Sequence, residues 1–333
     1  MTRSFVARLG LATFVLPFAM LACGGGEENL PPPPPPPPPL PQSMATTGPA
    51  SAAQEDAAAP AAIVTTPITL TAGAASPDPA APLPTVKITA PGRGQVIPAD
   101  KANDFAVKLD VKNWQTAQGS SHVHLILDNR PYKAIYDPKQ PVKLSELTGG
   151  EALSEGQHVL VAFPSRANHE SVKTKDALAS LDFYVGKKGP ADVDLKKPLL
   201  VYSRPKGDYK GEMANHVLVD FQLVNDQLAE GKDHVTITVT GPGIDKDLTA
   251  QVVKFGTPHY LDNLQNGTYT VKLDLVGGDG KPVAGKWNST TRQIKIDHDA
   301  PMDTSMAMPA APAADAGAPA ADAGKQSKPT PKK

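Results

Sequence analysis

Through the middle of this chain apolar residues recur at every second position, in short runs. Val86 and Ile88 alternate ahead of Pro91-Gly92. Phe105, Val107, Leu109 and Val111 hold the same period, as do Val123, Leu125 and Leu127 before the turn signal Asp128-Asn129. Val159, Val161 and Phe163 form a further run, and Leu181, Phe183 and Val185 close a first set at Gly186 to Pro190. The second set comprises Leu199 and Val201, then Val217 to Leu223, Val235 to Val239, Val252-Val253, Tyr269 to Leu275 and Arg292 to Ile296. A period of two puts alternate side chains on opposite faces of a strand. No stretch carries a sustained helical stripe; Asp226 to Gly231 is one turn at most. Short strands divided by Gly and Pro predict an all-β fold.

Each set spans about 100 residues and about seven strands, which suits an immunoglobulin-like β-sandwich. Two tandem domains are therefore expected, at residues 85–187 and 190–297. The halves also echo each other. Pro141-Val-Lys-Leu144, Leu147 and Gly156-Gln-His158 in the first correspond to Pro258-His-Tyr-Leu261, Leu264 and Gly267-Thr-Tyr269 in the second. Tyr269 resembles the tyrosine corner of such sandwiches, whose hydroxyl reaches back to the backbone. His158 takes the equivalent place in the first half. Several phrases, among them His122-Val-His124-Leu-Ile-Leu-Asp128-Asn129, Ser165-Arg166 with His169-Glu170-Ser171, Tyr202-Ser203-Arg204-Pro205-Lys206-Gly207 and Asn288-Ser-Thr-Thr-Arg292, resemble an uncharacterised group of exported bacterial proteins with paired immunoglobulin-like domains. That resemblance implies the fold and the domain count, and no activity.

The ends are written differently. Arg3 and Arg8 precede a short apolar run from Leu9 to Leu21, closed by Met20-Leu21-Ala22-Cys23. The run is too short for a spanning helix and carries Pro17, so it reads as a secretory leader. It resembles a bacterial lipoprotein signal, residues 1–22, which implies lipidation of Cys23. Thioether lipid with an N-acyl chain would supply the two anchors that stable membrane attachment needs. Gly24 rather than Asp after the cysteine implies an outer-membrane destination in the cell envelope. Cys23 is the one cysteine of the 333 residues, so once it is lipidated no disulfide, cysteine nucleophile or thiolate metal site remains.

Residues 23–84 are rich in Ala, Pro, Thr, Gly and Ser, with prolines throughout Pro31 to Pro39. Such a segment buries too little apolar surface to offset its ordering entropy. It is expected to be a disordered tether, its proline block rising about 28 Å as polyproline II. Residues 298–333 repeat the style as an Ala/Pro/Lys tail, also expected to be disordered. Loss of the leader moves the formal charge from −1 to −3. A nearly neutral chain has no electrostatic footprint for nucleic acid.

The candidate chemistry lies in histidines. His122 and His124, two apart on one strand, share a face about 6.6–7 Å apart. If Val159, Val161 and Phe163 are the core set, His158 points away from the core and joins them, because the third and sixth strands of such a sheet are neighbours. His169 in the following loop would fold over them, with Glu170 beside it. Three or four neutral imidazoles suit Zn²⁺ or Cu²⁺. A hydrogen-bonded network without metal and a pH sensor remain the other readings.

His216, His234 and His259 read as surface or strand-end residues. Ser165-Arg166 and Ser203 to Gly207 are basic loop phrases that could grip a carboxylate or phosphate but are expected to serve loop solubility and hydrogen bonding to backbone, and Gly277 to Gly280 reads as a hairpin loop. Trp114 and Trp287 are expected to cover domain ends. No Gly-x-Ser-x-Gly elbow, paired catalytic carboxylates or phosphate-cradling glycine loop occurs. The expectation is a non-enzymatic envelope lipoprotein presenting its two domains for protein or glycan binding or a structural envelope role, without a cofactor. The alternative is a zinc- or copper-binding lipoprotein using His122, His124, His158 and His169. A metal-dependent hydrolase, with Glu170 as base, is the remaining class.

Overall fold

The computed structural model describes residues 66–302. The leader, Cys23, the proline block and the tail beyond Met302 lie outside the described residues. The strands, in chain order, are β1 Thr69–Ala72, β2 Thr85–Ala90, β3 Val96–Ile97, β4 Ala106–Lys112, β5 His122–Leu127, β6 Lys133–Ile135, β7 Val142–Lys143, β8 Gly156–Ser165 and β9 Ala179–Val185. They continue with β10 Leu199–Arg204, β11 Gly207–Lys210, β12 His216–Val224, β13 His234–Thr240, β14 Leu248–Val252, β15 His259–Asp262, β16 Gly267–Val276 and β17 Ser289–Asp297. Among the described residues helix is confined to short turns, and Asp226 to Gly231 adopts none.

The chain is all-β, and its sheets pack as two sandwiches. In the first, the three-stranded sheet β2-β4-β7 faces the five-stranded sheet β3-β9-β8-β5-β6. In the second, β1-β15-β12-β10 faces β11-β17-β16-β13-β14. The topology repeats: β3 and β11 each pair parallel to the last strand of their own set, and β7 to β8 takes the position that β15 to β16 takes in the second. The sequence echo between Pro141 and Pro258 is therefore a structural one. Tyr269 forms the expected corner, its hydroxyl donating to the Pro242 carbonyl at 2.8 Å and accepting the Gln265 N–H at 2.8 Å. His158 reaches back the same distance along the chain, its Nε2 donating to the Ser154 carbonyl at 2.8 Å. Asp128 and Asn129 sit at φ 52° and 55°, the left-handed pair that a tight hairpin between β5 and β6 requires.

Two expected boundaries move. The tether, read as unstructured through residue 84, contains β1, which pairs antiparallel with β15 on the edge of the second sandwich. Its alternating Thr69-Leu70-Thr71-Ala72 suffices because β15 offers an unpaired edge. Beyond it, Ser76 binds the Glu170 carboxylate through its N–H and its hydroxyl. At the other end, His298 is held rather than free: its N–H donates to Asn266 Oδ1 at 2.7 Å and its Nε2 to the Leu264 carbonyl at 2.7 Å.

Each sandwich has its own core. Val123, Leu125, Leu127, Leu160, Ala162 and Phe183 lie in the first, and Tyr202, Val217, Ile237, Tyr269 and Leu273 in the second. A third cluster lies between the two. There Ile126, Val159, Val161 and Phe163 of the first meet Leu199, Val201 and Trp287 of the second. Full burial of such a side chain is worth about 1.5–3 kcal/mol, so the sandwiches are joined by a core of their own. Trp287 belongs to this seam rather than to a domain end.

Polar groups fasten the seam. The Arg292 guanidinium donates to four backbone carbonyls: Tyr202 at 2.7 Å, Ser203 at 3.0 Å, and Asn129 and Arg130 at 3.1 Å each. Asn129 returns the link, its Oδ1 accepting the Tyr202 N–H at 2.8 Å and its Nδ2 donating to Thr290 at 3.0 Å. Arg292→Ala would leave these carbonyls unpaired. At about 1.5–3 kcal/mol for a buried hydrogen bond to a charged group, it is expected to lower the unfolding free energy by about 3 kcal/mol or more in urea titration. Arg292→Lys, which lacks the planar fork, should recover less than half of that loss.

Candidate metal centre

Strand β5 is buried along its whole length. Its two faces serve two cores, with Val123, Leu125 and Leu127 turned inward and Ile126 turned toward the second sandwich. His122 and His124 share the face of Ile126. In the antiparallel register His124 stands opposite Phe163 and His122 opposite Ser165 on β8. After β8 the chain folds back on itself: Arg166 and Glu170 pair through the backbone, and His169 takes φ 67° between them. That turn carries its imidazole over the two strand histidines.

The three rings converge. His122 Nε2 lies 3.0 Å from His124 Nε2 and 3.1 Å from His169 Nδ1, and the facing nitrogens of all three lie within 4.8 Å of one another. All three residues are buried, His124 completely. The outer nitrogens are held as well. His122 Nδ1 is 2.8 Å from the Ser120 carbonyl, which can only accept, so the proton sits on Nδ1 and Nε2 presents a lone pair. His124 Nδ1 is 3.2 Å from Ser203 Oγ, and Tyr132 stacks on the His124 ring with centroids 3.4 Å apart.

The Tyr132 hydroxyl lies 3.3 Å from His169 Nδ1 and can donate to it, while His124 Nε2–H can donate to His122 Nε2. His122 Nε2 and His169 Nδ1 then face each other as acceptors at 3.1 Å, lone pairs that a cation among the three nitrogens would share. Tetrahedral bonds of 2.0–2.1 Å to nitrogen imply separations of about 3.3 Å; two of the observed separations, 3.0 and 3.1 Å, are close to this, and the third pair lies within 4.8 Å. The Ser120 carbonyl and Ser203 hydroxyl would be the outer partners that fix ring orientation.

His158 does not join the cluster. The expectation took Val159, Val161 and Phe163 as core, but those residues face the second sandwich. His158 shares its face with Leu160 and Ala162, inside the first sandwich, where its ring lies 5.5 Å from Phe183. Its Nδ1 bonds Asp128 Oδ2 at 2.6 Å. Burial pulls its pKa down, but the bond to Asp128, the carboxylate charge and the Ser154 carbonyl outweigh it and leave it raised. Glu170 is no base for the triad either, since its carboxylate is engaged by Ser76.

What the sequence reading missed is a cationic wall. Arg204 and Lys206, taken for solvated loop residues, lie beside the cluster. Arg204 is 3% exposed, its Cζ 5.4 Å from the centroid of Tyr132, over which Lys206 Nζ stands at 4.2 Å. A register shift between Tyr202 and Arg204 in β10 places them so, as bulges beside sites do. Arg204 Nη1 donates to the Tyr209 hydroxyl at 3.1 Å, while Nε and Nη2 have no hydrogen-bond partner among the described residues. The continuous run Leu199 to Tyr202 leading into Arg204 was the available signal of a strand buried on both faces.

Electrostatics keep the imidazoles neutral. Burial and then Arg204 and His122 push His169 down to about 2. Burial, with Arg204 and Lys206 and against the Ser120 carbonyl, pushes His122 down to about 4. Burial with its two histidine neighbours holds His124 well below its ordinary value. Burial and Arg204 also lower Lys206 to about 8.

No protein-family model matches the chain, and no curated protein matches it. Among solved structures, the fibronectin(III)-like modules of Clostridium thermocellum CbhA match 64% of this chain and 95% of theirs, at 13% identity and a TM-score of 0.23. A two-domain fibronectin type-III segment of chicken tenascin matches 64% and 98%, at 9% identity and a TM-score of 0.21. The FN1–FN3 domains of chicken CNTN1 match 64% and 65%, at 10% and 0.20. Scores this low add nothing to the strand pairings, which carry the fold by themselves.

The pKa shifts have opposite consequences for stability. His122, His124 and His169 take up protons on unfolding at any pH below about 6.5 and above their folded values. Their contribution is complete above pH 6.5 and is lost as pH falls, by up to about 1.4 kcal/mol per pH unit for each ring. Urea unfolding is expected to show stability dropping steeply from pH 6.5 toward pH 4, and a flat profile there would contradict the buried neutral triad. His158 runs the other way: its raised value stabilises below about 6.5 and fades as pH rises through the folded pKa. His158→Gln should therefore cost more stability at pH 5.5 than at pH 9, measured as the difference from the parent at each pH.

Proposed function

We propose that this protein is a non-enzymatic, lipid-anchored protein of the bacterial cell envelope that binds one Zn²⁺ or Cu²⁺ ion through His122, His124 and His169. The observation that carries the reading is the approach of three buried imidazole nitrogens to within 4.8 Å. Neutral imidazole is a borderline ligand suited to both ions. The rings are already deprotonated, so binding displaces few protons above pH 5. Three nitrogens leave a further coordination position open. The lipobox-like ending at Cys23 supports an outer-membrane anchor, and the proline block supports a spacer between anchor and folded region. Two sandwiches sharing one seam supply a rigid support for the ion, and their loops remain available to envelope proteins or glycans.

Metal analysis of the purified protein tests this directly. One zinc or copper per chain is expected, with a melting temperature that rises with added metal; at a hundred times Kd the gain is about 2.7 kcal/mol. His122→Ala/His124→Ala should abolish both, whereas His158→Ala should keep the metal. Retention of metal by the double variant, or a melting temperature indifferent to zinc and copper, would rule the site out.

A further inference from the structure

Beside the histidines the structure holds a second feature that the metal reading does not use. His169 and Arg204 line a pocket of about 270 Å³ whose other walls include Tyr209, Met213, Leu218 and Met302. Arg204 is a buried cation with an unanswered demand. Its Nη1 is occupied by Tyr209, but Nε and Nη2, the two nitrogens on one edge of the guanidinium, have no hydrogen-bond partner among the described residues. Lys206, half-buried nearby, adds a second positive charge, and the imidazoles contribute no negative one. Glu212 is the carboxylate that lines the same pocket; Glu170 is held by Ser76 and Asp220 by Lys173.

We propose that this pocket binds a small organic monocarboxylate, its carboxylate paired with the Nε/Nη2 edge of Arg204 and its apolar body against Met213, Leu218 and Met302. Two parallel N–H donors match the two oxygens of a carboxylate, which a lysine or a single hydroxyl would not do. The apolar walls select against a strongly hydrated inorganic oxyanion, and the volume holds the ligand to a small molecule. Because the two free nitrogens are packed from solvent, entry requires a modest shift of the pocket lining, which includes the flexible thioethers of Met213 and Met302. The inference stands apart from the metal: the unpaired Nε/Nη2 edge of Arg204 is there whether or not an ion sits among the imidazoles.

The test is a titration of the full-length protein with hexanoate, hexanol and inorganic phosphate, with and without zinc, followed by calorimetry and by the Nε–Hε resonance of Arg204. Hexanoate is expected to bind and to move that resonance in both metal states, while hexanol and phosphate bind at least ten-fold more weakly. Arg204→Gln should weaken hexanoate at least ten-fold in both metal states. Should that variant fail to fold, Met213→Trp, which narrows the pocket and leaves the guanidinium in place, is expected to weaken hexanoate to a similar degree. Absence of hexanoate binding, equal binding of hexanol or phosphate, or indifference of hexanoate to the substitution used would overturn the proposal. Hexanoate that binds only with zinc present and survives Arg204→Gln would assign the anion to the metal and overturn it equally.

Discussion

Strand β8 is buried on both faces, and most of the molecule follows from that. A sheet apolar on one side packs against one layer; a sheet apolar on both must be covered twice. Leu160 and Ala162 point into the first sandwich, and Val159, Val161 and Phe163 into the seam with the second. The second sandwich is the cover that the first needs. Water reaching that face would expose a contiguous apolar patch of the size that monomeric proteins rarely leave open. Because the cover is a whole sandwich, the polar ends of the seam must be matched residue by residue, and Arg292 and Asn129 do this through backbone groups on both sides. Backbone recognition of this kind fixes distance and orientation together.

The histidine cluster lies at one end of that seam, and its character comes from its position. His124 stacks on Tyr132, a member of the inter-sandwich cluster, and its Nδ1 meets Ser203 of the second sandwich. The triad is thus assembled from the first sandwich and finished by the second. Removal of water from the rings is what drives their pKa values down, and Arg204 and Lys206, contributed by the second sandwich, add to it. An exposed cluster of the same three residues would compete with protons near neutrality. This one does not, because the seam has already excluded the charged form.

The sequence made much of this visible. Period two in Val123 to Leu127 and Val235 to Val239 marked the strands, the paired Gly-x-His158 and Gly-x-Tyr269 phrases marked the repeat, and Asp128-Asn129 marked its hairpin. His122 and His124 were legible as partners because two residues on one strand share a face whatever the fold. His158 was not. On a strand apolar in both registers the pattern does not say which face is the interior, and the wrong choice sends every side chain to the opposite side. Arg204 and Lys206 were hidden for a related reason. A charged residue next to Pro and Gly ordinarily belongs to a solvated loop, and only the tertiary contact between sandwiches places it at 3% exposure. Strand β1 was lost inside a disorder-like composition, since four residues pair well when an edge is waiting for them.

The buried guanidinium sets the balance of the whole site. Breaking a buried ion pair usually costs about 3–5 kcal/mol, and Arg204 lines the pocket with the donors of Nε and Nη2 unanswered. Packing alone gives no reason for a positive charge there; a leucine or methionine of similar volume would fill the space beside Tyr132 and Tyr209 without desolvating a cation. Held where it is, the charge does two things at once. It adds to the burial that keeps the neighbouring imidazoles neutral, and it would oppose the charge of a metal bound there. If the proposed cation and the proposed anion were both bound, each would lower the electrostatic cost of the other, although the Nε/Nη2 edge of Arg204 is unpaired without either.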